Sequence, residues 1–149
     1  MKKIVLLLCT LICANVLMAQ TRFTIDSIIY EVIDSNEVKI YDYSGTDSVL
    51  VIPDTVAYQN VNYAVTEIGE YAFANNGLTS VTIPNSVTSI EDWAFYGCSS
   101  LQSISIPSNV STIGSRAFMN CTNLVSINIP DGVTTISWYT FENCTSLTS

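Results

Sequence analysis

The 149-residue sequence contains no histidine, and only five lysines and arginines accompany thirteen aspartates and glutamates. Without an imidazole, neither a Ser-His-Asp triad nor a Cys-His pair can form, because both use histidine as the base. The sequence also has no glycine-rich phosphate loop and no calcium loop of alternating acidic residues. Charged residues make up 12% of the chain, against roughly 25% in globular proteins. We therefore predict no enzymatic activity, no cofactor and no metal ion.

The first nineteen residues have the composition of a secretory signal peptide. Lys2 and Lys3 form a basic start, the apolar run Ile4–Met18 follows, and Ala19 offers a small residue for cleavage before Gln20. The run is shorter than the ~20 apolar residues that span a bilayer, so a retained membrane anchor is the less favoured alternative. We predict an exported protein, secreted or on the cell surface, with no membrane insertion after cleavage.

Removal of that leader leaves a strongly acidic chain. Three basic residues, Arg22, Lys39 and Arg116, remain against all thirteen acidic ones, which gives a net charge of −10. Such a surface repels phosphate backbones, and nucleic-acid binding needs clustered positive charge. We therefore exclude nucleic acid as a partner, and an anionic membrane surface for the same reason.

Three units of 23 residues follow one another without a gap, at 78–100, 101–123 and 124–146. Their shared pattern is L-x-S-[VI]-x-I-P-x-x-V-x-x-I-x-x-x-[AT]-F-x-[GN]-C-x-x. A truncated copy begins at 147–149, and a degenerate unit without the cysteine occupies 47–77, with 57–64 expected to form a loop. Such a period indicates a solenoid, in which neighbouring units bury one another's apolar faces.

The spacing of apolar residues predicts one short strand in each unit. Val81 and Ile83 share one face of this strand, Thr82 points the other way, and Pro84 ends it, because proline cannot donate to the ladder. We predict a mainly β repeat solenoid with strands about 4.8 Å apart. Equivalent side chains would then form core columns: Phe73, Phe95, Phe118 and Phe141, and Leu78, Leu101 and Leu124.

The cysteines outside the leader form another column, Cys98, Cys121 and Cys144. Free cysteine behaves as a small buried apolar residue, so we predict that all three belong to the core ladder. A disulfide between neighbours is an open alternative in an exported protein, although three thiols leave one over. Metal ligation and a catalytic thiol are less favoured, because stacked ligands do not make a tetrahedron and no imidazole is present.

The segment 20–46, before the repeats, alternates apolar and polar residues as a strand does. Ile28, Tyr30 and Val32 are spaced two residues apart, and the sequence DSN offers a turn before EVKIYDY. We predict a small β cap over the first coil, because an open solenoid end exposes apolar core and unpaired strand edges.

The I-P step, the valine and isoleucine after it, the Ala-Phe pair and the cysteine before leucine resemble the BspA-like leucine-rich repeats of bacterial surface and secreted proteins. The resemblance runs from Val49 to Ser149. It implies a leucine-rich-repeat stack over 47–149 and a role in binding proteins or surfaces. Thr140 stands where the family has alanine, and the chain ends inside a repeat, so the sequence leaves its completeness open.

A column of variable residues lies two positions before each phenylalanine: Tyr71, Trp93, Arg116 and Tyr139. The adjacent column contains Asp92 and Trp138. Tyr, Trp and Arg are enriched at binding hot spots, and stacked coils would bring these residues together. We call these six residues the stripe and predict that they bind a partner; the alternative is that they only cover the coil edge.

Carboxylates are the remaining candidates for catalysis, as in glycoside hydrolysis. Glu91 and Asp92 are neighbours in a predicted turn, and Glu67 and Glu70 lie one coil earlier. We expect them to be solvated, with no burial-shifted acid beside an exposed base.

Three functional hypotheses follow. The preferred one is a non-catalytic, adhesin-like protein that binds a host extracellular or bacterial surface protein through the stripe. The second is a spacer within a longer repeat array, which stacks on itself through its open C-terminal end. The third is a carbohydrate-binding module or carbohydrate-active enzyme, with a glycan as the ligand.

Overall fold

The computed structural model describes residues 21–148, and the predicted leader lies outside them. This part of the chain forms strands and no helix, so it offers no helix that could cross a membrane. The strands build two sheets around one apolar core. They are β1 (Arg22–Ile25), β2 (Ile28–Asp34), β3 (Glu37–Tyr43), β4 (Val49–Val51), β5 (Thr55–Tyr58), β6 (Val61–Ile68), β7 (Ser80–Thr82), β8 (Ser89–Ile90), β9 (Ser103–Ser105), β10 (Thr112–Ile113) and β11 (Ser126–Asn128).

The larger sheet joins the N-terminal strands to the coils, in the order β1-β2-β3-β6-β8-β10. Neighbours are antiparallel from β1 to β3 and parallel from β3 to β10. At the junction, Val38 pairs with Val65 and Ile40 with Ile68. Strands β1 to β3 therefore cover the open edge of the first coil, as the alternating sequence predicts.

The second sheet has one strand from each coil, in the order β4-β7-β9-β11, and all its pairs are parallel. Val81 pairs with Ile104, and Ile104 pairs with Ile127, so residues one repeat apart lie side by side. This register confirms the solenoid and the short strand that the spacing predicts in each unit.

The segment 57–64 belongs to a β-hairpin, so the prediction of a loop there was wrong. Strands β5 and β6 are joined by Gln59 and Asn60, whose φ values are 48° and 65°. Two consecutive left-handed residues match the type I′ turn, which suits the twist of a hairpin. Val56 and Tyr63 pair across it and are both buried, so the segment contributes to the core.

The core consists of side-chain columns that run through the stack. Phe73, Phe95 and Phe118 are buried, and their ring centroids lie 5.1 and 5.2 Å apart. The next step, to Phe141, is 5.7 Å, and Tyr43 covers the other end of the column at 5.6 Å from Phe73. Ring pairs at 4.5–7 Å add roughly 0.5–1.5 kcal/mol to the gain from burial. The same core buries the predicted leucine column, Leu78, Leu101 and Leu124.

A backbone ladder forms the remaining side of each coil. The N–H of Phe95 donates to the carbonyl of Ala117 at 2.8 Å, and equivalent bonds join the other coils. Thr140 occupies the alanine position in the last of these corners and is buried. Its hydroxyl donates to the carbonyl of Ser137 at 2.8 Å. The replacement of alanine by threonine therefore buries no unpaired hydroxyl.

Phe95→Ala should lower the free energy of unfolding by about 3–5 kcal/mol, because it leaves a cavity between two buried rings. Phe141→Ala is the matched control in the same column, and its side chain is only half-buried. The control should lose clearly less stability. Urea denaturation of both variants measures the difference, and equal losses would contradict the packing of the column.

Candidate binding surface

The four residues of the main stripe column share an unusual backbone conformation. Their φ values are 59°, 60°, 58° and 58° for Tyr71, Trp93, Arg116 and Tyr139. A left-handed backbone costs a residue other than glycine roughly 1–2 kcal/mol, and asparagine tolerates it best. Each corner has a second left-handed position four residues later, filled by Asn75, Gly97, Asn120 and Asn143. Asparagine and glycine, which tolerate this backbone conformation, thus occupy the second column. The stripe column instead holds bulky aromatic or cationic residues.

The side chains of the main column stack on one another. The rings of Tyr71 and Trp93 lie 5.5 Å apart at an interplanar angle of 13°. The guanidinium carbon of Arg116 is 4.8 Å from the ring centroid of Trp93 and 4.9 Å from that of Tyr139. Tyr96, which the sequence did not single out, meets Trp93 edge-on at 5.1 Å. Arg116 is therefore held between two rings by cation–π contacts.

The other two stripe residues lie beside this stack. Trp138 is 78% exposed, and its ring is tilted by 54° from that of Tyr139 at 6.3 Å. Asp92 is exposed, and its Oδ1 accepts the N–H of Ser115 at 2.7 Å. The structure thus stacks four of the six residues and places the other two at the margin. Their binding role stays a prediction.

Two hollows adjoin the stripe and share Glu70 and Glu91. The larger is an open groove of about 580 Å³ along β8 and β10, with hydroxyl groups on much of its wall. These hydroxyls belong to Ser89, Ser111, Thr112, Thr134, Thr135 and Ser137. The smaller hollow, of about 360 Å³, lies between the stripe and the N-terminal strands. It is lined by Lys39, Tyr41, Asp42, Glu70, Tyr71 and Glu91.

Negative charge dominates these hollows. In the part of the chain described, Lys39 is the one basic residue that lines them. Its Nζ lies 3.9 Å from Oε2 of Glu91 and 3.9 Å from Oε1 of Glu31. The same Oε2 of Glu91 accepts the N–H of Glu70 at 2.9 Å. Lys39 is therefore shared between carboxylates, and the hollows keep an excess of negative charge.

Glu67 and Glu91 form a contacting carboxyl pair. Partial burial raises the pKa of Glu67, and a hydrogen bond to Glu91 and its negative charge raise it further, while Lys39 lowers it. The expectation of uniformly solvated carboxylates was wrong here, because ladder pairing sets Glu67 beside Ser89 and hence near Glu91. Glycosidases hold their two carboxyls about 5 Å or more apart. Glu67 and Glu91 lie close enough to interact and are not spaced in this way, so we assign the pair no catalytic step.

Within residues 21–148 the cysteines are Cys98, Cys121 and Cys144, and all three are free thiols that donate a hydrogen bond to an earlier coil. Burial raises the pKa of Cys98 to about 11, so this thiol is protonated and unreactive at neutral pH. Residues 21–148 contain no group of three or more acidic or thiol side chains placed to hold a metal ion. No sequence pattern predicts the hydrogen bonds that these thiols donate to backbone carbonyls: Cys98 to Phe73 at 2.9 Å, Cys121 to Phe95 at 3.2 Å and Cys144 to Phe118 at 3.0 Å.

A parallel sheet with one strand from each coil, repeated columns of phenylalanine and leucine, and a covered N-terminal edge define a leucine-rich-repeat solenoid. The model of the BspA type leucine rich repeat region matches residues 56–149 in six copies, so the chain belongs to this family. The resemblance drawn from the I-P step and the Ala-Phe pair is thereby confirmed.

Solved structures of bacterial proteins share this fold. A leucine rich cell surface protein from Faecalibacterium prausnitzii is 31% identical, with a TM-score of 0.71, over 85% of this chain and 41% of that one. A leucine-rich repeat protein from Bacteroides capillosus is 31% identical, with a TM-score of 0.73, over 78% of this chain and 87% of that one. The chain thus spans less than half of the first protein and most of the second. Among curated proteins no match was found.

Glu67→Gln should raise the thermal midpoint at neutral pH by roughly 1–3 °C, because it removes a screened repulsion with Glu91. The folded protein holds the Glu67 proton more tightly than the unfolded chain. The free energy of unfolding therefore falls as pH rises from the ordinary value of 4.5 through the raised pKa.

Thermal unfolding of wild type and variant across the acid range measures this difference. The gain should disappear at acid pH, where Glu67 is protonated and no longer repels Glu91. Asp131→Asn, at an exposed carboxylate far along the chain, is the matched control. If Glu67→Gln were no more stable than wild type at neutral pH, the repulsion would be refuted.

Proposed function

We propose that this chain is a protein-binding module of the bacterial cell surface, with the stripe and the adjoining hollows as its contact face. The leucine-rich-repeat family itself suggests a role in protein–protein interaction. The observation that carries the proposal is the stack of Tyr71, Trp93, Arg116 and Tyr139, held on a left-handed backbone. Strained backbone conformations cluster at functional sites, and these residue types dominate binding hot spots.

The packing of the stack favours a protein partner over a glycan. A sugar ring binds an aromatic side chain by lying on its face, but the faces of Trp93 are occupied by Tyr71 and Arg116. Tyr71 and Tyr139 are 47% and 50% exposed, and such rings with a polar hydroxyl suit a protein surface. Trp138, at 78% exposed, is the stripe residue best placed for a glycan.

A surface location is supported by the comparisons and by the leader. The F. prausnitzii relative is described as a cell surface protein. Residues 1–19 read as a secretory signal peptide. We propose that the chain is exported, non-catalytic and adhesin-like, and that its partner is a host extracellular protein or a protein on another bacterium.

Trp93→Asn combined with Arg116→Asn should weaken binding to a protein partner at least tenfold, as hot-spot losses do. Asparagine is the replacement because it accepts the left-handed backbone, so the fold should persist. The measurement is a screen of the chain from Gln20 onward on an array of host matrix proteins, bacterial surface proteins and glycans.

Thr82→Asn, on an exposed position of the second sheet, is the matched control and should bind like wild type. Circular dichroism checks that each variant is folded. A partner bound equally by wild type and the double variant would place the contact face elsewhere. Hits on glycans alone, dependent on Trp138, would replace the protein partner with a carbohydrate.

A second candidate function is self-stacking through the last coil. Within residues 21–148, β11 has a neighbour on one side only. Ile127 and Leu147 are half-buried there, and Val125 and Ile136 are each 50% exposed. An unpaired strand edge beside apolar side chains is a template for pairing with another chain. This arrangement supports a spacer that assembles with further coils or copies.

Under this second reading, molar mass measured by light scattering should rise with protein concentration. Ile127→Asp should abolish the rise, because a charge on the edge strand opposes pairing. Thr82→Asp, at an exposed position of the internal strand β7, is the matched control and should assemble like wild type. A constant monomer mass over the whole concentration range would remove the self-stacking function.

A further inference from the structure

The aromatic stack ends at Tyr71, which borders a hollow. One face of the Tyr71 ring is covered by Trp93 at 5.5 Å. Tyr71 is 47% exposed and also lines the hollow between the stripe and the N-terminal strands. Tyr41 lines the same hollow, so two tyrosine rings border one space of about 360 Å³. A flat group entering there would continue the stack by one step.

The chain itself shows which flat group suits such places. Arg116 lies between the rings of Trp93 and Tyr139, at 4.8 and 4.9 Å. Arg22 lies over the ring of Tyr41, with its guanidinium carbon 3.4 Å from the centroid. Guanidinium is planar and weakly hydrated, so it stacks on aromatic faces better than an ammonium group does. Two arginines of this chain therefore stack their guanidinium groups on aromatic rings.

The carboxylates around Tyr71 would attract a cation. Asp42, Glu70 and Glu91 line the hollow. Of these three carboxylates, Glu91 is the one within ion-pair distance of Lys39. Within residues 21–148, Asp42 and Glu70 have no ion-pair partner. A carboxylate accepts two parallel hydrogen bonds from a guanidinium, which adds orientation to attraction.

We propose that the partner presents an arginine side chain to this hollow, where the guanidinium stacks on Tyr71 and pairs with Glu70 and Asp42. The inference rests on the proposed function and names the chemistry that the protein partner must carry. Residues 20–149 contain three basic and thirteen acidic residues, and their attraction for a cationic partner would speed the encounter. The Tyr71 ring would then select guanidinium over ammonium.

Calorimetric titration with a synthetic peptide tests the site. The probe carries three arginines separated by Gly-Ser, and two matched peptides carry lysine or citrulline instead. Citrulline keeps the shape of arginine without its charge. The protein is the full chain, purified after export. We expect saturable binding of the arginine peptide, at least about threefold weaker binding of the lysine peptide, and at least about tenfold weaker binding of the citrulline peptide.

Variants locate the contact. Tyr71→Asn and Glu70→Gln should each weaken the arginine peptide about tenfold, whereas Asp131→Asn should leave it unchanged. Asparagine at 71 suits the left-handed backbone, and Tyr71→Phe keeps the ring and should bind like wild type. If arginine and lysine peptides bound equally, and Tyr71→Asn bound like wild type, net charge alone would explain the attraction and the site would be refuted. Absence of binding would refute it as well.

Competition separates this inference from the proposed function. A protein partner that is lost in the stripe variants but is not displaced by the arginine peptide would refute the arginine site and leave the binding module standing. Binding of the arginine peptide at Tyr71, with no protein partner found on the array, would support the arginine site and count against the proposed protein-binding function. Displacement of the partner by the arginine peptide, and not by the citrulline peptide, would support both.

Discussion

The structure depends on the burial of one coil's apolar face against the next. No coil is large enough to enclose its own phenylalanine and leucine, so Phe95 and Phe118 are covered from both sides by their equivalents in neighbouring coils. Parallel strand pairs and the corner ladder hold the coils at the spacing that these rings require. The N-terminal strands complete the arrangement, because Tyr43 covers the first ring of the column and β3 pairs with the first coil.

The same spacing governs the surface. Residues that project from equivalent corner positions are brought to about 5 Å from one another, and flat side chains at this distance stack. The stripe is therefore a surface copy of the phenylalanine column, built by the same repeat. It differs in one respect, because its members vary from coil to coil, and that variation introduces Arg116 between two aromatic neighbours. The regular coils thus carry stripe side chains of differing chemistry.

The sequence predicts the features that repetition determines. The I-P step, the alternation of Val81 and Ile83 and the column of cysteines are enough for the coils, their strands and their core. Other features depend on contacts that no local pattern reveals. The hairpin over 57–64 rests on a two-residue turn without glycine, and the Glu67–Glu91 pair arises from ladder register. The sequence also does not predict the left-handed backbone of the four stacked stripe residues, since tyrosine, tryptophan and arginine rarely adopt it.

The left-handed corner has a further consequence for how this surface can change over time. The large residues at that position already carry the left-handed backbone penalty, so exchanging one unbranched large side chain for another adds no new backbone strain. Mutations in the phenylalanine column must preserve the packing of the buried core, whereas the corner side chains are half-buried or exposed and stack on one another at the surface. The requirements of the core and of the surface stack therefore fall on separate columns, so the surface column could change one coil at a time without redesign of the core.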